Sequence, residues 1–530
     1  MKKNQTPSWG KLILLSMLVL FANAVFAKMN TTELKPLFGD DYDQKLKVVK
    51  TLADEGSVED LKILQAIQNE GIYIAPQGIL VQVGEIYQDA LTGKEISVKP
   101  EELNALTLNN QLRSKVDNAI LGLELMSDDL KVRTNAVAEL SKSPDLENFP
   151  LVEKILSTNK DKSLAPKIQK LWALIALQTS DTATKLKAIS LLGDSGDPQV
   201  AALLAPLSEE GGEVQDAAKI ALDKIHKKEK MGEILGNGIA GLSYGSVLLL
   251  SALGLAITYG LIGVINMAHG EFLMIGAYAT YLVQGLFKTY APAWFDWYLL
   301  FALPAAFLSA AIVGIILERT ILRFLYGRPL ETLLATFGVS LLLIQLVRTF
   351  FGAQNVAVAN PEWMSGALQV LPNLFIPYNR IAIFIFSISV VIITWLVLNK
   401  TRLGLFVRAV TQNRPMAACV GVKTNRIDTY AFAFGAGIAG LGGVALSQIG
   451  NVGPDLGQGY IVDSFMVVVL GGVGQLAGTI YGALGLGIFS KFLEPFFGAV
   501  LAKIFILVFI IIFIQRRPQG LFALKGRSVD

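Results

Sequence analysis

Asn266 to Phe272 reads NMAHGEF and sits between two apolar runs. A carboxamide, an imidazole and a carboxylate are costly in hydrocarbon. They belong against protein or a water-filled cavity, where they can meet a passing polar solute. Gly263 and Gly270 permit a break in a helix there, and broken helices line solute paths in transporters. The plain alternative is a hydrated turn between two spans. Ser447 to Phe465 is a second polar stretch between apolar runs. It is suited to receiving a solute or a binding protein, or to being an ordinary hydrated loop. The candidate path residues are therefore Asn266, His269, Glu271, Gln448, Asn451 and Asp463. The third stretch, residues 399–428, is basic. Its middle, Asn413 to Gly421, reads as a short helical piece ended by the glycine. Ala417 and Ala418 are small enough to let a rigid partner surface approach, and Arg408 and Arg414 can anchor it by charge. A basic loop held on the cytoplasmic side of a membrane is the alternative there.

Other chemistries fit poorly. Gly241 to Gly245 (GLSYG) matches a serine-nucleophile elbow, and a histidine exists, but that elbow follows a strand and this context is a lipid-spanning helix. No GxxxxGK[ST] phosphate loop occurs. The two histidines, His226 and His269, exclude zinc sites built from several imidazoles, and the lone cysteine, Cys419, excludes an intrachain disulfide. No catalytic residue, metal site or cofactor is expected. A net charge of +3 implies no nucleic-acid partner.

The elements that must hold these residues are helices in a membrane. The chain is 52% hydrophobic and 17% charged over 530 residues, with mean hydropathy +0.50. Spans are predicted near 235–262, 272–287, 297–322, 330–351, 381–398, 430–449, 461–493 and 500–514. The 461–493 run is long enough to be two short spans or to hold a re-entrant loop. Arg319, Arg323 and Arg328, the 399–428 loop, and Arg516, Arg517, Lys525 and Arg527 form three basic flanks, all expected on the cytoplasmic side. Lys227, Lys228 and Lys230 before the first span resist that scheme. Residues 1–27 read as a signal peptide, with Lys2, Lys3 and Lys11, an apolar Leu12–Phe21 and small residues to Ala27. Residues 28–230 then form an exported, periplasmic, soluble domain. In it, stretches starting at Gln44, Lys131 and Thr184 repeat weakly, matching Val48, Ala136 and Ala188, and Leu52, Leu140 and Leu192. This predicts HEAT-like helical pairs, with a β-hairpin over 72–87 from its period-two alternation. The expected fold class is all-α: a polytopic helical membrane domain, 231–530, after an exported helical-repeat domain. Glycine runs such as Gly435 to Gly443 (GAGIAGLGG) predict close helix packing.

Gly241 to Tyr281 resembles the branched-chain amino acid permease family of ABC importers. Asn360 to Gly366, Ser447 to Thr479, Lys491 to Ile504 and Ile514 to Arg527 look like the urea-transport branch of that family. The resemblance implies a permease subunit moving urea across a bacterial inner membrane by alternating access; a permease for branched-chain amino acids or short amides is the alternative. It implies a second homologous permease subunit, two ABC ATPase subunits that hydrolyse the ATP, and a periplasmic urea-binding protein. It also carries the ATPase-coupling role onto Ala417, Ala418 and Gly421, with Arg408, Asn413 and Arg414 beside them. A channel needing no ATPase and an intramembrane hydrolase are the rival classes.

Overall fold

A computed structural model describes residues 31–522, apart from 40, 56, 85, 99–102, 159–160 and 162. The expected signal segment, 1–27, and two basic residues of the C-terminal flank, Lys525 and Arg527, lie outside the described residues. The chain divides into two units, Met1–His226 and Lys227–Asp530.

In the first unit, α1 (Thr31–Leu34), α2 (Tyr42–Glu55) and α3 (Val58–Gln68) precede four short strands. These are β1 (Ile72–Ala75), β2 (Gly78–Val83), β3 (Ile86–Asp89) and β4 (Asn104–Ala105), antiparallel in the order β3-β2-β1-β4. The β1–β2 hairpin turns at Gly78 and falls where the alternation predicts one. The chain is mostly helical, as expected, and this small sheet is added to it because period-two sequence cannot give a helix one apolar stripe. Helices follow: α4 (Asn110–Glu124), α5 (Leu130–Lys142), α6 (Phe149–Thr158), α7 (Ala165–Ala176), α8 (Thr182–Ser195), α9 (Pro198–Leu204) and α10 (Gly212–Ile262), the last passing into the second unit. The three repeating stretches become α2–α3, α5–α6 and α8–α9. Their matched residues are all buried, with Leu52, Leu140 and Leu192 each 0% exposed. Four-residue spacing puts each matched pair on one face of its helix. Side-chain caps start these helices: Ser57 and Asp60 cap α3 reciprocally, Asp129 caps α5 and Asp181 caps α8.

The second unit adds α11 (His269–Tyr290), α12 (Tyr298–Thr320) and α13 (Pro329–Phe351). A hairpin of β5 (Ala367–Leu371) and β6 (Leu374–Pro377) precedes α14 (Tyr378–Lys400), α15 (Arg402–Gln412) and α16 (Arg414–Cys419). It ends with α17 (Thr424–Ser447), α18 (Gln458–Gly471) and α19 (Leu476–Arg516). Among the described residues six helices are long and apolar enough to cross a membrane: α10, α12, α13, α14, α17 and α19. The long 461–493 run divides into α18 and the first limb of α19, turning at Gly472 and Gly474, both at positive φ. Gly498, at φ 76°, then breaks α19 into two limbs. Four passages therefore follow the 399–428 loop, which returns the C-terminal segment to that loop's end of the bundle.

Glycine sets how closely these helices pack. A Cβ on Gly276 of α11 would lie 2.6 Å from Gly440 Cα in α17, and one on Gly254 of α10 would meet the Gly435 carbonyl. Paired positions also give direction. Gly254 meets Gly435 while Leu250 meets Gly442, so α10 and α17 run antiparallel; Ala306 meets Gly440 while Gly314 meets Ala436, so α12 and α17 do too. The end of α12, the start of α17 and the end of α10 thus share one end of the bundle. The C-terminal segment joins them, since the Leu521 and Phe522 amides donate to Leu470 and Gly471 carbonyls beside the turn that packs on Gly260. The described residues of the three basic flanks lie at that end, and Lys227–Lys230 lie within α10, on the side of Gly254 away from it.

Gly276→Val forces a branched side chain into the Gly440 backbone, which cannot retreat as a side chain could. Gly285, on the same helix with nothing within 4 Å of its would-be Cβ, is the control. Folded yield and melting temperature in detergent should collapse for Gly276→Val and stay near wild type for Gly285→Val.

Candidate functional site

The polar segment Asn266–Glu271 lies deep in the second unit. Helix α10 ends at Ile262, Gly263 takes φ 73°, and the chain turns back irregularly until α11 starts at His269. His269 Nε2 lies 3.1 Å from the Ser251 carbonyl, eleven residues before the end of α10. At 1.5 Å rise per residue that is roughly 16 Å along the helix, about half of a ~30 Å hydrocarbon core. So α11 begins near mid-depth, and the hydrated-turn alternative does not describe it: Asn266, His269 and Glu271 are 0–1% exposed. Helix α18 also starts beside this point, because the Gly457 and Gly270 backbones touch where either Cβ would stand.

The break satisfies most of its own backbone. The Met267 amide donates to Thr336 Oγ1 at 3.1 Å and the Ala268 amide to Asn266 Oδ1 at 3.0 Å. The Ser340 hydroxyl donates to Glu271 Oε1 at 2.8 Å. Thr336 and Ser340 stand one turn apart on α13, whose buried residues are Thr332, Thr336, Ser340 and Ile344. The Ser251 and Ser464 hydroxyls pair at 2.6 Å and tie α18 to α10 beside His269.

The other predicted path residues stand apart. Asp463 is buried on α18 but already engaged, by Lys503 Nζ at 2.8 Å and the Tyr244 hydroxyl at 2.7 Å. Gln448, past the end of α17, accepts from the Tyr298 hydroxyl at 3.1 Å, and its carbonyl accepts from Asn379 Nδ2 at 3.0 Å. That arrangement ties α12, α14 and α17 together. Asn451 is exposed. A cavity of about 570 Å³ lies between α12, α14 and α17, walled by Trp297, Leu300, Leu303, Ile383 and Phe386. Apart from Asp296, Gln448 and the indole N–H groups of Trp297 and Trp363, its lining is apolar. Sequence reading missed Ser251, Thr336, Ser340 and Ser464. The four-residue spacing of Thr332, Thr336 and Ser340 in an apolar helix was the signal available.

At the basic end, Asn413 caps α16 by accepting from the Met416 amide at 3.0 Å. Gly421, at φ 87°, ends the turn: its amide reaches the Ala418 carbonyl, and Val422's reaches Ala417's. The two alanines part company, Ala417 being buried and Ala418 exposed. The outward surface is Met416, Ala418, Cys419, Val420 and Gly421. Arg408 is exposed and touches Asn399 only loosely, at 3.4 Å. Arg414 instead turns inward: it pairs with Asp428 of α17, 3% exposed, and its guanidinium lies over the Tyr326 ring at 5.5 Å. Tyr326 and Thr429 hydroxyls donate to the two oxygens of buried Glu318, at 2.8 and 2.7 Å. One guanidinium and two hydroxyls therefore bind α16 to α12 and α17.

Residues 238–514 match the family model described as branched-chain amino acid transport system / permease component. The chain is 29% identical over 289 residues to a high-affinity branched-chain amino acid transport system permease protein, BraD, of Pseudomonas aeruginosa, covering 53% of this chain and 94% of that one. It is 28% identical over 292 residues to the corresponding LivH protein of Escherichia coli, covering 53% and 92%. A shorter likeness, 33% over 120 residues, links it to the fructose import permease protein FrcC of Rhizobium meliloti, covering 21% and 33%. No solved structure matches. The first unit lies wholly outside the family match.

Removing Arg414 leaves Asp428 buried without its counter-charge. Arg414→Ala should lower stability by about 1–3 kcal/mol, and Asp428→Asn added to it should recover part of the loss. A double-mutant cycle on melting temperatures reads this coupling; strictly additive effects would contradict it.

Proposed function

Because the chain belongs to the branched-chain amino acid transport system permease family, we propose that it is the translocating subunit of an ATP-driven importer in a bacterial inner membrane. The observation that carries this is the mid-depth break at Asn266–Glu271. Buried polar side chains at the start of a half-depth helix are what a polar solute needs to cross hydrocarbon, and a purely structural bundle has no use for their cost. Alternating access would expose the segment first to one side and then to the other.

The exposed Met416–Gly421 surface is the docking face for one of two ATPase subunits, and the Arg414–Asp428 pair carries its displacement into α12 and α17. A second, related permease subunit would cover outward apolar faces such as those of α13 and the second limb of α19, and a binding protein would deliver solute on the opposite side. The three basic flanks at one end support a cytoplasmic placement of that end. The first unit, read as an exported helical-repeat domain after a signal segment, would then lie in the periplasm.

The relatives' names favour a branched-chain amino acid as the solute. Urea is the second reading, supported by the narrower likeness around residues 360–366, 447–479, 491–504 and 514–527 and by an N-terminal unit that the family match over 238–514 does not reach. The urea-binding partner goes with that second reading.

Uptake of radiolabelled leucine and urea by the complete transporter in proteoliposomes decides between them. One of the two should enter only with ATP, and entry without ATP would favour a channel. Cys419 is exposed and should react with a membrane-impermeant maleimide only in inverted vesicles; labelling of intact spheroplasts would overturn the orientation. Asp428→Asn should keep the ATPase subunits bound while lowering solute moved per ATP by on the order of tenfold.

A further inference from the structure

Two buried carboxylates in this bundle are treated differently. Glu318 has both oxygens bonded, by Tyr326 and Thr429. Glu271, 1% exposed, has Oε1 bonded by Ser340 and Oε2 without any partner. No ion pair reaches it among the described residues. Two more polar atoms of the same short segment, Asn266 Nδ2 and His269 Nδ1, are also buried without partners. Buried polar atoms in native proteins are nearly always paired, so a cluster of three asks for an explanation. The unmet groups are complementary in kind: Glu271 Oε2 accepts, and Asn266 Nδ2 donates. The segment lies against one turn of α13, since the Met267 amide, next to Asn266, meets Thr336 and Glu271 meets Ser340.

We propose that Asn266 and Glu271 form a relay site for a small solute presenting N–H donors beside an oxygen acceptor, covered in this conformation by Thr336 and Ser340 of α13. That chemistry is shared by urea, carboxamides and α-amino acids. A solute N–H group donates to Glu271 Oε2, and Asn266 Nδ2 donates to the solute oxygen. Helix α13 is suited to moving off, because it buries only four residues of its length and meets the polar segment through two hydroxyls. The proposal rests on the importer reading above and adds the solute class and the two groups that meet it.

The test uses the complete transporter in proteoliposomes, with uptake of radiolabelled urea and leucine and with ATP hydrolysis measured alongside. Glu271→Leu should lower uptake of the transported solute on the order of tenfold or more with the ATPase subunits still bound and active. Glu271→Gln, the isostere that keeps packing intact, separates the sources. An ammonium loses its counter-charge, so leucine entry should fall about tenfold, whereas urea keeps a carboxamide acceptor and should fall about threefold or less. Ser340→Ala removes one bond of the cover and should cost less uptake than Glu271→Leu, while Thr349→Ala, an exposed hydroxyl on the same helix bonded to its own Gln345 carbonyl, should leave uptake within about twofold. Ser340→Ala reproducing the Glu271→Leu loss would make Glu271 a pin for α13 and overturn the relay. Unchanged uptake in both Glu271 variants would mean that water fills the site, and would also overturn it. A wild-type complex that hydrolyses ATP but imports neither solute would instead sink the importer reading itself.

Discussion

A backbone N–H or C=O in hydrocarbon must find a protein partner, and the second unit is arranged around the one place where a helix stops meeting that need by itself. The chain leaves helical geometry at Ile262, near one end of the bundle, and regains it at His269, about half-way through. The freed groups are taken up locally, by Asn266 and by Thr336 of a neighbouring helix. Lipid would not serve, so protein or a water-filled cavity must surround the segment. Side chains of ordinary size would hold neighbouring helices ~8–10 Å apart. Glycine removes that limit, and Gly254, Gly270, Gly276, Gly435, Gly440 and Gly457 bring backbone against backbone around the break. The glycine content and the polar interruption are thus two parts of one device.

The same reasoning explains what the sequence could and could not disclose. Span positions were legible because apolar length is a direct requirement of the bilayer. The break was legible because His269 and Glu271 are anomalous in an apolar run. Its depth was not, since a hydrated turn and a mid-depth re-entry leave the same local pattern; only the Ser251–His269 contact separates them. Gln448, Asn451 and Asp463 looked alike as polar residues between spans, yet they differ in surroundings that no local spacing encodes. Lys503, forty residues away, occupies Asp463; Tyr298 and Asn379 hold Gln448; Asn451 is left exposed. In the 413–421 segment the alanines are adjacent in sequence, so helical rotation alone sends one inward and one outward.

Glu318 and Asp428 were passed over because each sits at the edge of a span, where acidic residues near basic ones look like ordinary flanking sequence. Their burial gives them a different character. A buried carboxylate is tolerated when its oxygens are bonded and its charge is matched. Here Arg414 of α16 meets the charge of Asp428 and lies over the Tyr326 ring, while one aromatic hydroxyl from beyond α12 and one aliphatic hydroxyl from α17 bond both oxygens of Glu318. Such a cluster resists rearrangement because losing any one member exposes the others to the full cost of burial. It suits the rigid link proposed between α16 and the bundle, where an apolar contact between the same helices would slide.

The two polar clusters then divide the work by how completely they are satisfied. At the basic end every carboxylate oxygen of Glu318 and Asp428 is engaged, and the parts it joins move together. At mid-depth Glu271 and Asn266 keep one group each unmet, under a helix that shares few buried residues with the rest. Saturated bonding favours a fixed link, and unsaturated bonding favours a group that exchanges partners. A translocation cycle requires one of each, placed on helices that run between them. Helix α17 does this, carrying Asp428 at its start and packing through Gly440 and Gly443 on the helix that begins at His269.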